Sequence, residues 1–217
     1  MAKVNMQSSI KKNEKGMAII DKRICADKWY SSDEHFNKLY PLSIQELSRR
    51  HWTPLAVARK AVHFLAIQNN VRILDIGSGV GKFCLGAAYY KPKAFYYGIE
   101  QRKYLIEHAE AAKDRLHLEN VSFINGNFTQ LDFKNFDHFY FYNSFYENLI
   151  GTNKIDDNIH YSSELYNYYN RYLFQQLDQK KPGTRLATFH SLEDEIPKSY
   201  HEVGTEFDNL LKFWIKI

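Results

Sequence analysis

The sequence predicts an α/β fold: a seven-stranded, mostly parallel sheet with helices on both faces, entered through an N-terminal helical cap. Short apolar runs of strand length alternate with longer stretches whose apolar residues recur at helical intervals. Such alternation builds a parallel sheet, because each strand must return through a crossover before its neighbour can start in the same direction. The sharpest alternation runs from Arg72 to Ala88. An apolar run, Ile73 to Ile76, leads into glycines at 77, 79 and 81, and then into Phe83, Leu85, Ala87 and Ala88 at helical spacing, which reads as strand, tight turn, helix. A chain of 217 residues, 44% of them hydrophobic, suits one such domain with modest additions.

Glycine suits this turn because positive φ costs it nothing and bare backbone lets a ligand come close. The turn also opens a helix, whose unpaired N–H groups favour a carboxylate or phosphate. Two nucleotide loops fail against the spelling. The dinucleotide fingerprint G-x-G-x-x-G needs a third glycine at 82 or 84, where Lys82 and Cys84 stand. The phosphate loop G-x-x-x-x-G-K-[ST], aligned on Gly81-Lys82, needs glycine at 76 and a hydroxyl at 83, and finds Ile76 and Phe83.

Charge separates the N-terminus from the rest. Seven of the 29 basic side chains and three of the 25 acidic ones lie in residues 1–28, so the remaining body holds 22 of each sign. A neutral body argues against a basic nucleic-acid groove. The segment 1–28 reads as a basic, flexible tail, and 29–217 as a single domain with a helical cap over 29–70 and a sheet core over 71–217. No apolar run approaches the ~20 residues of a membrane span, and the Lys-rich start lacks the apolar segment of a signal peptide. With only Cys25 and Cys84, a disulfide framework is not expected and a reducing cytoplasm is.

In chain order, Ser31, Ser32 and Glu34 mark a helix start ahead of Phe36, Leu39 and Tyr40, and Pro41 interrupts it. Thr53-Pro54 reads as an N-cap and first helical residue before Leu55, Ala58, Val62 and Leu65. A second strand, 94–100, ends in Glu100, nineteen positions after Gly81, close to the ~20-residue spacing at which a carboxylate meets ribose hydroxyls in nucleotide-binding α/β folds. A helix follows over 103–118, then a strand over 121–127 running into Phe128. A fourth strand over 136–143 delivers Asn143 to the carboxyl edge of the sheet, where open parallel sheets place their chemistry. The polar stretch 149–160 has the length of a lid or substrate loop. A helix over 162–179, a strand over 184–190 ending in His190, and two closing strands, 200–207 and 210–217, complete the chain. At that strand end His190 suits either a general base or a structural histidine.

Asp75, Gly77, Gly79 and Gly81 spell the D-x-G-x-G-x-G motif, and the chain from Thr53 onward resembles the class I S-adenosylmethionine-dependent methyltransferases. The resemblance implies a Rossmann-like fold closed by an antiparallel hairpin, with S-adenosyl-L-methionine as cofactor. It also implies cofactor contacts at Thr53, Asp75, Gly77, Ser78, Gly79, Gly81, Glu100, Gln101, Asn127, Phe128 and Asn143, with Asn143 beside the methyl group as the catalytic candidate. Asn127 departs from the acid that the family commonly places there for the adenine amino group, and keeps an acceptor oxygen; Phe128 can stack on the ring. Asp75 to Gly81, Tyr97-Gly-Ile-Glu100, Gly126-Asn-Phe128, Asn143 and Phe145 are closest to the cofactor motifs of the non-SET histone-lysine methyltransferases. Asn143-Ser-Phe-Tyr146 more distantly resembles the N-P-P-Y motif of amino-methylating nucleic-acid enzymes, without its prolines. A protein or small-molecule acceptor is favoured; nucleic-acid amine methylation and a cofactor-binding module without catalysis stay open. No membrane partner or metal is expected.

Overall fold

A computed structural model describes residues 27–191 and 195–217. The predicted basic tail, with Cys25, lies almost wholly outside the described residues. Three short helices, α1 (Asp33–Asn37), α2 (Leu42–Gln45) and α3 (Ser48–His51), form the cap and lead into α4 (Leu55–Leu65). The alternating core follows as β1 (Arg72–Ile76), α5 (Lys82–Tyr90), β2 (Phe95–Glu100), α6 (Lys103–Leu116), β3 (Val121–Asn125), β4 (His138–Phe141), α7 (Ser163–Asp178), β5 (Arg185–Phe189), β6 (Tyr200–Glu206) and β7 (Leu211–Lys216).

The seven strands lie in the order β3-β2-β1-β4-β5-β7-β6. β1 to β5 are parallel, and β7 pairs antiparallel to both β5 and β6, so the last two strands form the hairpin. The order reverses between β1 and β4, and a ligand crevice belongs beyond the carboxyl ends of those strands. Side-chain alternation divides the core. From β1, Ile73 points into one layer with Ala58, Val62, Phe83 and Leu105, while Leu74 and Ile76 point into the other with Phe139, Phe141, Leu173 and Leu177. Helices α4, α5 and α6 therefore cover one face and α7 the other.

The cap docks through its aromatics. Tyr30 and Tyr40 are buried and donate hydroxyl hydrogen bonds to the carbonyls of Leu85 (3.2 Å) and Val80 (3.0 Å). Ser32 caps α1 as predicted, its hydroxyl accepting from His35 N–H at 3.1 Å. Thr53 does not cap α4. Pro54 occupies the N-cap position, and the N–H of Leu55 is satisfied by Asp33 Oδ1 at 2.9 Å. A carboxylate from α1 has replaced the local cap, which leaves the Thr53 hydroxyl to pair with Tyr140 at 3.0 Å beneath the cap.

Candidate functional site

The carboxyl ends of β1, β2 and β4 surround a cavity of about 420 Å3, within the ordinary range for a small-molecule site. Its floor is the glycine turn. Gly77, Gly79 and Gly81 all have positive φ, and the two outer glycines are needed for packing as well. A Cβ on Gly77 would overlap the Ser144 side chain, and one on Gly81 would overlap the Phe123 ring. Gly79 differs: a Cβ there would meet nothing within 4 Å, so its backbone faces open space at the cavity. That is the geometry expected where a ligand, not protein, comes close to the chain.

Glu100 forms the adjoining wall. It is buried, and its two oxygens are held differently: Oε2 accepts from Gly79 N–H at 3.2 Å, while Oε1 accepts from Arg102 N–H at 3.0 Å and lies 3.4 Å from its guanidinium. Burial raises its pKa and the Arg102 contacts oppose that rise. A carboxylate has about four acceptor positions and these bonds use three, so a position on Oε2 remains for a further donor such as a ribose hydroxyl. Phe128 and Ile99 supply apolar wall, with Phe128 stacked on Phe145 at 4.9 Å. Gln101 also lines the cavity.

At the far side, β4 ends at Phe141, two residues short of the predicted limit, because Asn143 turns left-handed with φ +36°. The reversal lets Ser144 Oγ donate to Ile76 carbonyl at 2.6 Å, closing the end of β4 over the end of β1. His190, at the end of β5, also has positive φ (+56°), and its exposed ring stacks on Tyr142 at 5.7 Å. Partial burial lowers the His190 pKa. Left-handed backbone at two non-glycine strand ends, both lining one cavity, is the kind of strain that gathers at functional sites.

The remaining predicted site residues separate into two groups. Thr53, Asp75 and Ser78 line a small recess of about 30 Å3 next to the main cavity, together with Lys82. Asp75 is fully enclosed, and burial pushes its pKa up to about 8 although Cys84 Sγ donates to it at 3.7 Å. The Ser78 hydroxyl is buried without a partner. Lys82, whose charge burial disfavours, is held by Asp33 and Asn37 of the cap. Gly81 and Asn127 line neither space. The Asn127 oxygen is consumed in capping the 3-10 turn Phe128–Gln130, accepting from Thr129 N–H at 3.0 Å and Thr129 Oγ1 at 2.9 Å, and its amide donates to Tyr169 and Gln101.

Sequence reasoning passed over Arg102 and the residues it gathers. Its guanidinium reaches Glu147 (2.7 Å), Asp156 (3.3 Å) and the Tyr161 hydroxyl (2.6 Å) as well as Glu100. Glu147, Tyr161 and Ile155 belong to the chain after β4 and line the cavity, so the stretch predicted as a lid lies against the site.

The donor set fits S-adenosylmethionine: a buried acceptor carboxylate for ribose hydroxyls, an apolar wall for adenine, exposed glycine backbone and a recess holding the Asp75 carboxyl group. The fold and site thus define a class, the S-adenosylmethionine-dependent methyltransferases. Residues 67–209 match the family model described as "Methyltransferase domain", and the chain belongs to that family. Among curated relatives, a tRNA (guanine-N(7)-)-methyltransferase of Synechococcus sp. (strain JA-3-3Ab) is 46% identical over 54 residues, which are 25% of this chain and 23% of that relative. The match therefore spans less than a quarter of the relative's length. Among solved structures, an RNA methyltransferase from Salinibacter ruber in complex with S-adenosyl-L-homocysteine aligns with TM-score 0.54 at 17% identity, over 76% of this chain and 92% of that one. A precorrin-6y C5,15-methyltransferase from Geobacter metallireducens GS-15 aligns with TM-score 0.51 at 12% identity, over 78% and 91%. At these identities the likeness is one of fold. Among the described residues, no helix is long and apolar enough to cross a membrane.

Proposed function

We propose that S-adenosylmethionine lies across the carboxyl ends of β1 and β2 and that the acceptor enters beside Asn143, along the stacked rings of Tyr142 and His190. The observation that carries this reading is the pairing of open backbone at Gly79 with the buried Glu100 carboxylate that holds it. Glu100 accepts from the ribose; Phe128 and Ile99 pack the adenine; Gly77, Gly79 and Gln101 line the passage between; and Asp75, Ser78 and Thr53 serve the amino-acid end through the recess. Gly81 acts through packing on Phe123. Asn127 holds Gln101 and the Phe128 turn instead of receiving the adenine amino group itself.

The bound cofactor supplies a methyl group on a sulfonium, a good leaving group for in-line displacement. The chain's contribution is then chiefly orientation, an effect worth up to roughly 7–11 kcal/mol in well-aligned systems. A base is needed only where the acceptor is protonated, as a lysine amine with pKa near ~10.4 would be. His190, which lines the same cavity as Asn143, is the group on hand for that task.

A protein or small-molecule acceptor is supported by the balanced charge of residues 29–217. The cofactor-motif spelling supports handling of the cofactor in the manner of the non-SET histone-lysine methyltransferases, without carrying their substrate over. An RNA acceptor is the second reading, favoured by the short match to tRNA methyltransferases. Cell extract incubated with methyl-labelled cofactor and the protein, then divided among ribonuclease, protease and ultrafiltration, separates them. Label lost to protease or passing the filter supports the first reading, label lost to ribonuclease the second, and no label in any fraction favours a binding module without catalysis.

A further inference from the structure

Arg102 is a buried arginine at the centre of an acidic cluster, and the chemistry of methyl transfer gives it no task. Its side chain is 4% exposed, and it faces Glu100 at the end of β2, Glu147 from the 3-10 turn Tyr146–Asn148, and Asp156 and Tyr161 from the following loop. Nε has no hydrogen-bond partner, although Asp156 Oδ2 lies 3.3 Å away. Burying a guanidinium is costly unless carboxylates surround it, so the cluster holds together as a unit or not at all. Breaking it at Glu147 or Asp156 would free the loop, and breaking it at Arg102 would leave Glu100 buried without its counter-charge.

We propose that Arg102 is a positioning residue for cofactor binding: it is the counter-charge that keeps Glu100 aimed at the ribose, and it fastens residues 147–161 against the same cavity. This rests on the assignment of Glu100 to the ribose. Cofactor affinity and closure of the loop are then one equilibrium, since both draw on the same guanidinium. The other charged or titratable groups near Glu100 are Asp75 on β1, Tyr104 at the start of α6 and Glu147; His51 of the cap faces Glu147 and Arg102 rather than Glu100, and burial disfavours its charge, so among the described residues none of these supplies a fixed cation. Arg102 is thus the cation that opposes burial at this carboxylate. Without it, the Glu100 pKa climbs further, and binding that needs the ionised form weakens as pH falls.

The test is the dissociation constant of S-adenosylhomocysteine, measured by calorimetry from pH 6 to 9 for the wild type and for Arg102→Met, Arg102→Lys and Glu100→Ala. Arg102→Met is expected to bind weakly at pH 6 and to regain affinity with rising pH, by as much as about tenfold per unit below the Glu100 pKa. Arg102→Lys, which keeps the charge, is expected to restore the wild-type profile in part. Wild-type affinity in Arg102→Met, or a loss of the same factor at every pH, overturns the proposal, the second outcome marking a merely structural role. Should Arg102→Met fail to fold, Glu147→Gln carries the test. Weaker binding with faster amide exchange over 149–160 supports the proposal, and unchanged binding and exchange overturn it. Full affinity in Glu100→Ala would instead overturn the ribose assignment; weak binding there with an unaffected Arg102→Met would remove only the role given to Arg102.

Discussion

At the scale of single residues, burial acts in the same direction on Asp75 and Glu100 and is opposed differently. Glu100 is buried among donors that favour its charge, whereas Asp75 has only a thiol to oppose desolvation. Its folded pKa of about 8 stands above the ordinary 3.8, so its contribution to stability is fully present below 3.8 and is lost as pH rises through about 8. Asp75→Asn, which cannot ionise and keeps an acceptor for Cys84, is expected to exceed the wild type in stability by roughly 1–3 kcal/mol at pH 8 and to match it near pH 4. Thermal unfolding at the two pH values checks this. An equal difference at both would mean that Asp75 is charged in the native state.

At the scale of the element, the glycine turn combines two demands that substitution can separate. Gly81→Ala must place a Cβ into the Phe123 ring at φ +80°, and is expected to cost about 2–4 kcal/mol of stability. Gly79→Ala meets only the left-handed backbone, at about 1–2 kcal/mol, but projects a methyl group into the cavity. Its larger effect is expected on the affinity for S-adenosylmethionine. Denaturant melts beside calorimetric binding distinguish the two, and a Gly79→Ala variant with full affinity would show that the cofactor avoids this backbone. The turn was legible in the sequence because three closely spaced glycines after an apolar strand have few other uses. The strands and long helices were legible for a similar reason, their apolar periodicity being local. What escaped depends on contacts distant in sequence. Thr53 looked like a cap because Asp33, which satisfies the start of α4, lies 22 residues earlier. Asn127 looked like an adenine ligand because its use as a cap for Thr129 depends on a 3-10 turn with no apolar period. Arg102 carried one signal, its place two residues after Glu100, but Glu147 and Asp156 reach it only through the folded path of the loop.

At the scale of the whole molecule, the cavity joins the cap, the sheet and the loop after β4: His51 and Trp52, Gly79 and Glu100, and Glu147 and Tyr161 all line it. A ligand filling it contacts all three segments at once, and any ligand preferring the native state stabilises it by mass action. At a hundred times its dissociation constant that stabilisation is about 2.7 kcal/mol, or roughly 5–10 °C in Tm for a domain of this size. S-adenosylmethionine and S-adenosylhomocysteine are each expected to produce such a shift in the purified protein. NAD and ATP are not, because the glycine turn lacks the spelling of either loop. A shift with NAD or ATP alone would overturn the assignment of the cavity. A shift with all four would mean that the adenosine half alone is recognised, and that Asp75, Ser78 and Thr53 contribute nothing to selection of the amino-acid end. The same measurement on Gly79→Ala ties the shift to the cavity: loss of the shift locates the ligand at the turn, and its persistence moves the ligand elsewhere.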